Sequence, residues 1–578
     1  MSDDSQPLHQ LYSKYVNQRN IRDKEQGIKA LSLWGVIPSN IREASQEARK
    51  IRQQYGQPVE PLEELQKLMK KNLSRLGILT EQTSSNIDKL SEGVIEVGQQ
   101  PNCLGGPSLI LNKIGYAKAL ARSSSTYPLF YVADYDGARP ELTNTRVPGL
   151  SPSGLSISYP EAREFEYTSM YKIENPSEEW LTTTLDKIEE SYRSLLRGTP
   201  DSERCMQNIN QAFTIIRLAY FSTNNVSEFS TKIIGTITNL QSDLAIPIYW
   251  FSMPETRRLF QHGYELLLTE KNRTRFIDTA NEAVETIVSL GYKPQIGIRQ
   301  KDYIPFYLEC PECKKARIEL KHSPISAQTS KMEGTCPKCK TAHEYSYNPS
   351  KPDLSNLVTQ LTPRVDSRQI IVDSVIPILT HIVGPSETSY FAEVIPAAKA
   401  LKLPFPMVMR YSRLFYNTTW IDHASKDLAK KDITVTTSGA LFNALSKWVN
   451  AKKAGDTQAV SLAHKEIQLA LVSSNRGLQE QLDNIEAKTR GLKEAIRSQE
   501  DKAPIIRMIN ENQQKSRQIS LYLSWAFGRY NPDKYGQEVN WNWLDLAAVT
   551  GVDDLMGVYE RMYNDDTPNA AMFYVNTR

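Results

Sequence analysis

Apolar and polar positions alternate along this chain in a way that predicts β/α units broken by helical insertions. Val94-Ile95-Glu96-Val97 is a β-prone run; it is followed by the turn Gly98-Gln99-Gln100-Pro101-Asn102-Cys103-Leu104-Gly105-Gly106-Pro107 and an apolar-rich helical segment carrying Lys113 and Lys118. Tyr127-Pro128 opens a second apolar run, Leu129 to Ala133, so the pair implies parallel strands joined by a right-handed crossover. Upstream, residues 1–90 are charged and helix-prone, with partial apolar faces at Leu31, Leu33, Trp34, Leu62, Leu65, Leu68 and Met69. Downstream, a loop from Gly137 to about Ser158 leads to three helix-like segments between Ser177 and Leu240, and β/α alternation resumes at Ala245 to Phe251.

The pattern divides the chain into an N-terminal helical region (1–90), a first core part (91–308) with a helical insertion at about 159–243, and a cysteine-bearing insertion (309–350). A second core part (351–450), a coiled-coil or helical hairpin (451–530) and a C-terminal cap (531–578) complete it. The coiled-coil reading rests on Ile467, Leu471, Leu478, Leu482, Ile485, Leu492 and Ile496, spaced by three, four or seven with charges between them. An antiparallel hairpin with the helix around Ile505 to Phe527 and a dimer seam are both open. In the second core part, Val383-Gly384-Pro385-Ser386-Glu387 repeats the logic of the first turn, with Ser386 expected to cap the helix that carries Glu387 and Tyr390.

Charge and composition narrow the function classes. A net charge of +3 from 69 basic and 66 acidic residues gives no bulk electrostatic case for a nucleic-acid or membrane-surface protein. Neither a signal peptide nor a long apolar span is read in the sequence, so a cytoplasmic protein is expected. Six cysteines are too few for a disulfide framework in 578 residues. Four of them, Cys310, Cys313, Cys336 and Cys339, form two CxxC knuckles able to aim four thiolates at one tetrahedral zinc ion. A shell of four cysteines leaves no open position, which favours a structural over a catalytic zinc; His322 and His343 could replace a ligand. The knuckles are surrounded by Lys314, Lys315, Arg317, Lys321, Lys331, Lys338 and Lys340, read as a solvated basic surface or a nucleic-acid contact. Cys205 reads as an inert buried thiol, and Cys103, beside a helix N-terminus, as inert or nucleophilic.

Four blocks in order carry a family resemblance. Gly98, Gln99, Gln100, Pro101, Gly106, Pro107 and Lys113 resemble the GQQxG…TGP…K signature of the bacillithiol biosynthesis cysteine-adding enzymes. Tyr127 to Asp136 is similar to that family's strand and acidic turn, and Leu290 to Gly297 to its LGYHPQV element. Val372 to Ser412 resembles the block in which Gly384, Pro385, Glu387, Tyr390, Pro406 and Ser412 align. Departures are Asn102 for Gly, Gly105 for Thr, Tyr135 for His, and the cysteine-rich insertion.

The resemblance implies an α/β fold with a Rossmann-type, class I synthetase-like parallel sheet. It also implies a cysteine ligase of low-molecular-weight thiol biosynthesis, joining L-cysteine to the amino group of glucosaminyl malate or a related amino sugar, and a homodimer formed through the coiled coil. On this reading Gln99 and Gln100 orient substrate. Gly98, Gly105, Gly106 and Lys113 meet an anionic group, and Asp134 and Asp136 bind an ammonium or act as base. Glu387, Gly384 and Tyr390 close the opposite wall, while Arg410 and Arg413, flanking Ser412, take the malate carboxylates or form surface ion pairs. The phosphate-handling HxGH motif of class I synthetases is absent, which leaves ATP or another nucleotide as an open cosubstrate. A second function class is a noncatalytic synthetase-like protein that binds RNA or a protein partner through the zinc ribbon and coiled coil.

Overall fold

A computed structural model describes residues 6–17, 24–57, 59–150, 154–160, 162–314, 316–416, 418–430, 447, 451, 456–496, 502–529 and 536–575. Lys315 and part of the 431–455 stretch assigned to the second core part and the coiled coil lie outside the described residues. Among the strands of the two five-stranded sheets, β1 (Val94–Gln99), β2 (Tyr127–Val132) and β3 (Ile248–Trp250) come first. Next come β4 (Tyr303–Glu309), β5 (Arg317–Ser326), β6 (Thr329–Thr335), β7 (Ala342–Tyr347) and β8 (Leu361–Pro363), and last β9 (Ile378–Val383) and β10 (Met407–Arg410).

Two sheets result. The first is wholly parallel in the order β10-β9-β1-β2-β3. Its central strands are buried almost throughout, which is why they read as continuous apolar runs and not as alternating ones. The crossover helices are α1 (Leu109–Ser124), between β1 and β2, and α2 (Pro385–Ala400), between β9 and β10. The second sheet is antiparallel in the order β7-β6-β5-β4-β8 and carries the cysteine knuckles in its β4–β5 and β6–β7 turns. Segment 303–309, which the sequence pattern attaches to the first core, pairs instead with β5 and β8. Period-2 patterning identifies a strand but not the sheet that receives it.

The N-terminal helices Ile41–Arg52 and Glu60–Arg75 pack on the core through Ile41, Ala44, Ala48, Ile51, Leu62, Leu65, Met69 and Leu73, and Leu33 and Trp34 are likewise buried, whereas Leu31 is exposed. In the helical insertion, Ser177 caps helix Glu178–Leu196 by accepting from Trp180 N. The long helices Thr457–Ala495 and Ala503–Arg529 pack against one another within the chain as a hairpin. The C-terminal strand Met572–Val575 runs parallel to Arg413–Tyr416.

Candidate active-site cleft

The chain leaves β1 toward β2 on one side of the sheet and β9 toward β10 on the other, so the carboxyl ends of β1 and β9 flank a topological switch point. A cavity of about 790 Å³ opens there, between the parallel sheet and the antiparallel one. Gly98, Gln99, Gln100, Asp136, Glu387 and Tyr390, all anticipated from sequence, line it. A Cβ at Gly98 would lie 1.7 Å from Cε1 of Tyr131, so glycine here lets the Tyr131 ring lie against the strand. The Arg368 guanidinium stacks on that ring, 4.4 Å from its centroid.

A chain of polar contacts runs along the cavity floor. Glu96, fully buried in β1, accepts from Arg368 Nη1 at 2.8 Å and lies 2.7 Å from His381 Nδ1. Burial alone would raise the Glu96 carboxyl, yet the Arg368 charge and the His381 contact hold it below the ordinary carboxylate value. His381 Nε2 stands 3.9 Å from Glu387 Oε1, and Lys113 Nζ donates to Glu387 Oε2 at 2.6 Å and to Gln99 Oε1 at 3.4 Å. Gln99 Nε2 donates to Gln100 Oε1, Gln100 Nε2 to Asp136 Oδ2, and Arg317 Nη1 to Asp136 Oδ1, at 3.0, 3.0 and 3.1 Å. For Glu387 too burial opposes ionisation, but Lys113 and His381 outweigh it and keep the carboxyl well below its usual range.

The far wall is cationic and aromatic. Arg364 stacks on Tyr303 and Tyr307 at 4.6 and 4.3 Å, and Arg317 lies 5.1 Å from the Tyr307 centroid. Arg299 pairs with the buried Asp366 and Glu393, while its Nη2 is buried without a hydrogen-bond partner among the described residues. None of Arg299, Arg364, Arg368, Tyr303 or Tyr307 belongs to a spacing motif. In the sequence Arg317 is only one of several lysines and arginines near the knuckles, and the fold turns it from basic surface into cleft lining.

Ser386 also lines the cavity, whereas other anticipated residues lie elsewhere. Ser386 does not cap α2: Gly384 is the N-cap, and Glu387 reaches back to accept from Gly384 N at 2.6 Å, so Gly384 positions Glu387 without lining the cavity. Lys113 lies beneath the lining at 4% side-chain exposure. Gly105 and Gly106 are not open to a ligand. Trp543 Nε1 donates to Leu104 O at 2.9 Å, Trp543 N to Gly106 O at 3.2 Å, and Ser108 N to Trp541 O at 3.3 Å, so the segment expected to form a terminal cap covers the turn. A helix N-terminus satisfies a protein carbonyl as readily as an anion.

Asp134 is fully buried and outside the cavity lining, accepting from Ser252 N at 2.9 Å and Ser227 Oγ at 3.2 Å. Burial lifts its carboxyl to about 6 against those hydrogen bonds. Its contacts hold the acidic turn and leave Asp136 alone facing the cleft. Arg410 donates to Ser13 Oγ and its amide to Asn569, while Ser412 is buried with its carbonyl bonded to Asn112 and Tyr563; Arg413 lies beside them. These three therefore join the C-terminal segment to the core and do not reach the cavity. Cys103 is fully buried, and burial pushes its thiol far above the ordinary value, which removes the thiolate a nucleophile needs.

The ligand atoms of Cys310, Cys313, Cys336 and Cys339 all lie within 4.8 Å of one another, a cluster that can hold a metal ion. The Cys310–Cys339 and Cys313–Cys336 sulfurs are 3.6 and 3.7 Å apart. A tetrahedral ion with bonds of about 2.3 Å places its sulfurs about 3.8 Å apart, so the donor set fits one. His343 Nε2 sits 3.6 Å from Cys310 Sγ, whereas His322 turns away toward Tyr347 and Glu270.

No helix among the described residues is long and apolar enough to cross a membrane. A family model described as the N-terminal Rossmann-like domain of bacillithiol biosynthesis BshC matches residues 38–411. Proteins named cysteine ligase BshC from Desulforamulus reducens and Solibacter usitatus are each 22% identical to the chain, over 323 and 322 residues, covering 54% of this chain and 53% of each relative. That from Staphylococcus epidermidis is 22% identical over 371 residues, 61% of each chain. The matched stretch thus spans about half the length of the first two relatives. Since the family model runs from the N-terminal helices through β10 and takes in every strand that lines the cleft, the chain belongs to the bacillithiol biosynthesis BshC family.

Proposed function

We propose that this protein is a ligase that joins the carboxyl group of L-cysteine to the amino group of glucosaminyl malate or a related amino sugar. The observation that carries the reading is that the family match coincides with the residues around the switch-point cavity. Amide formation needs an activated carboxyl, an unprotonated amine and stabilisation of the charge on the tetrahedral centre. Glu387, held ionised by Lys113, and Asp136 offer negative charge to an ammonium, and the amides of Gln99 and Gln100 orient polar groups beside them. With its carboxyl so far below the usual range, Glu387 serves as a fixed charge and a poor proton acceptor at neutral pH. The guanidinium groups of Arg299, Arg317, Arg364 and Arg368 on the other wall suit the carboxylates of a malate substituent. Activation of the cysteine carboxyl by ATP or another nucleotide is part of the same proposal.

Zinc is the metal we assign to the four cysteines, in a closed structural shell. A second copy of the chain is the assigned partner, meeting this one through the helical hairpin.

The test is a mass-spectrometric assay of zinc-loaded protein with L-cysteine and glucosaminyl malate, with and without ATP, beside Gln99→Ala and Glu387→Ala variants. Cysteinyl product that falls at least about tenfold in both variants is expected, because each substitution removes a charged or amide hydrogen-bonding group from the cleft. No product from folded protein under any nucleotide condition overturns the ligase reading.

A further inference from the structure

We propose that the tetrathiolate site is a clasp for the cleft: a metal bound there fixes Arg317 against Asp136, so that metal loading governs the cavity's affinity for carboxylate ligands. The inference rests on the reading of the cavity as the substrate site. Cys310 and Cys313 occupy the β4–β5 turn, and Arg317, four residues beyond Cys313, opens β5. Its Nη1 donates to Asp136 Oδ1, while Asp136 Oδ2 accepts from Gln100 Nε2, so one carboxylate ties the antiparallel sheet to the end of β1.

A second route runs through segment 162–172. Lys338, inside the other knuckle, donates to Glu164 O at 2.6 Å. Glu309, the residue before Cys310, accepts from Lys172 at 2.6 Å and from the buried Arg257 at 2.9 Å. The same segment is laced to the acidic turn, for Met170 N donates to Asp136 O, Tyr171 N to Asp134 O, and Ala138 N to Phe165 O. Both knuckles therefore press on the turn that carries Asp136, one through a guanidinium and the other through a strap.

The two cysteine turns of the antiparallel sheet are short loops whose conformation four sulfur–metal bonds would determine. Without the metal, four thiols replace those bonds, and nothing else among the described contacts links the β4–β5 turn to the β6–β7 turn as tightly. Arg317 is then a positioning residue for Asp136 as well as a lining cation, and its strand is the part of the cavity wall most directly tied to the metal.

Hydrogen exchange on the full chain tests this in the zinc-loaded state, after chelation, and in zinc-loaded Arg317→Ala and Arg317→Lys. Chelation should speed exchange at Ala138, Met170 and Tyr171 by about tenfold or more, the worth of a charge-assisted hydrogen bond, while the amides of α1 stay at the loaded rate. Arg317→Ala should reproduce the change at Ala138, Met170 and Tyr171 with zinc still bound, and Arg317→Lys should restore part of it. In the ligation assay, chelated protein and Arg317→Ala should share a raised KM for the carboxylate-bearing substrate with kcat largely kept. Faster exchange confined to residues 310–342 after chelation, or wild-type exchange at the acidic turn in Arg317→Ala, overturns the clasp. Should the assay yield no product with any protein, the exchange arms still decide the clasp while the ligase reading alone falls.

Discussion

Removing either partner of the Lys113–Glu387 pair should loosen the switch point by an amount the geometry sets. The pair is 2.6 Å long, with Lys113 at 4% and Glu387 at 23% side-chain exposure. Deleting one member of a fully buried pair costs about 3–5 kcal/mol, because the other is left as an uncompensated charge. The part of Glu387 that faces the cavity lowers the expectation to about 3 kcal/mol. Glu387→Gln also strips a full charge from the hydrogen bond that Gly384 N donates at the start of α2. A chain of this length and several units does not unfold in one step, so the readout is local: hydrogen exchange of the amides of β1, β9 and the first turn of α2. About 3 kcal/mol corresponds to a roughly hundredfold faster exchange. The double variant Lys113→Met with Glu387→Gln buries no charge at this position and should cost less than the sum of the singles by about 1–3 kcal/mol. The pH dependence carries a definite sign. The folded-state carboxyl lies below its ordinary value of 4.5, so the stabilisation is complete at neutral pH and is lost as the pH falls from about 4.5 through the depressed folded value. Exchange at β1 and β9 that is unchanged in both single variants, or a double variant whose cost equals the sum, would refute the reasoning.

Two further outcomes are expected. Glu538, buried against Asn112 and Leu414 N, has its carboxyl lifted by burial to about 8, so local stability there should fall as the pH rises from about 4.5 to 8; Glu538→Gln should match wild type at pH 5 and exceed it at pH 9 in the protection of the Leu414 and Tyr416 amides from hydrogen exchange. Gly98→Ala places a Cβ against the Tyr131 ring, and the ring's displacement should disrupt the Arg368 stack and abolish the ligation proposed above, with the folded yield checked by circular dichroism.

Much of the fold is legible in the sequence because it is written in local patterns. The β1 turn, the acidic turn after β2 and the Gly-Pro-Ser-Glu turn after β9 combine short apolar runs with residues that stop them, and burial on both faces of a parallel strand makes such runs continuous. The knuckle spacing is equally direct, since two CxxC pairs need only a hairpin each to converge on one ion. Gln99, Gln100, Asp136 and Glu387 stand out because they sit at the ends of those strands, where every α/β sheet opens its crevice.

What sequence could not give are the meetings between distant segments. Glu96 and Arg368 are joined across the sheet, and Arg317 reaches Asp136 from another layer of the fold; no spacing rule links residues separated by more than a hundred positions. The reverse errors share that cause. Gly105, Gly106, Asp134, Arg410, Ser412 and Arg413 stand in turns or strand ends whose local chemistry suits a ligand, yet Trp543, Ser252, Ser13 and Asn569 arrive from elsewhere in the chain and take those contacts first. Residue types and their intervals by themselves determined most of the elements, the pairing of the four cysteines and the mouth of the cleft. Tertiary packing decided which polar groups face water and which face protein, because each hydrogen-bonding group accepts whichever partner the fold brings within about 3 Å.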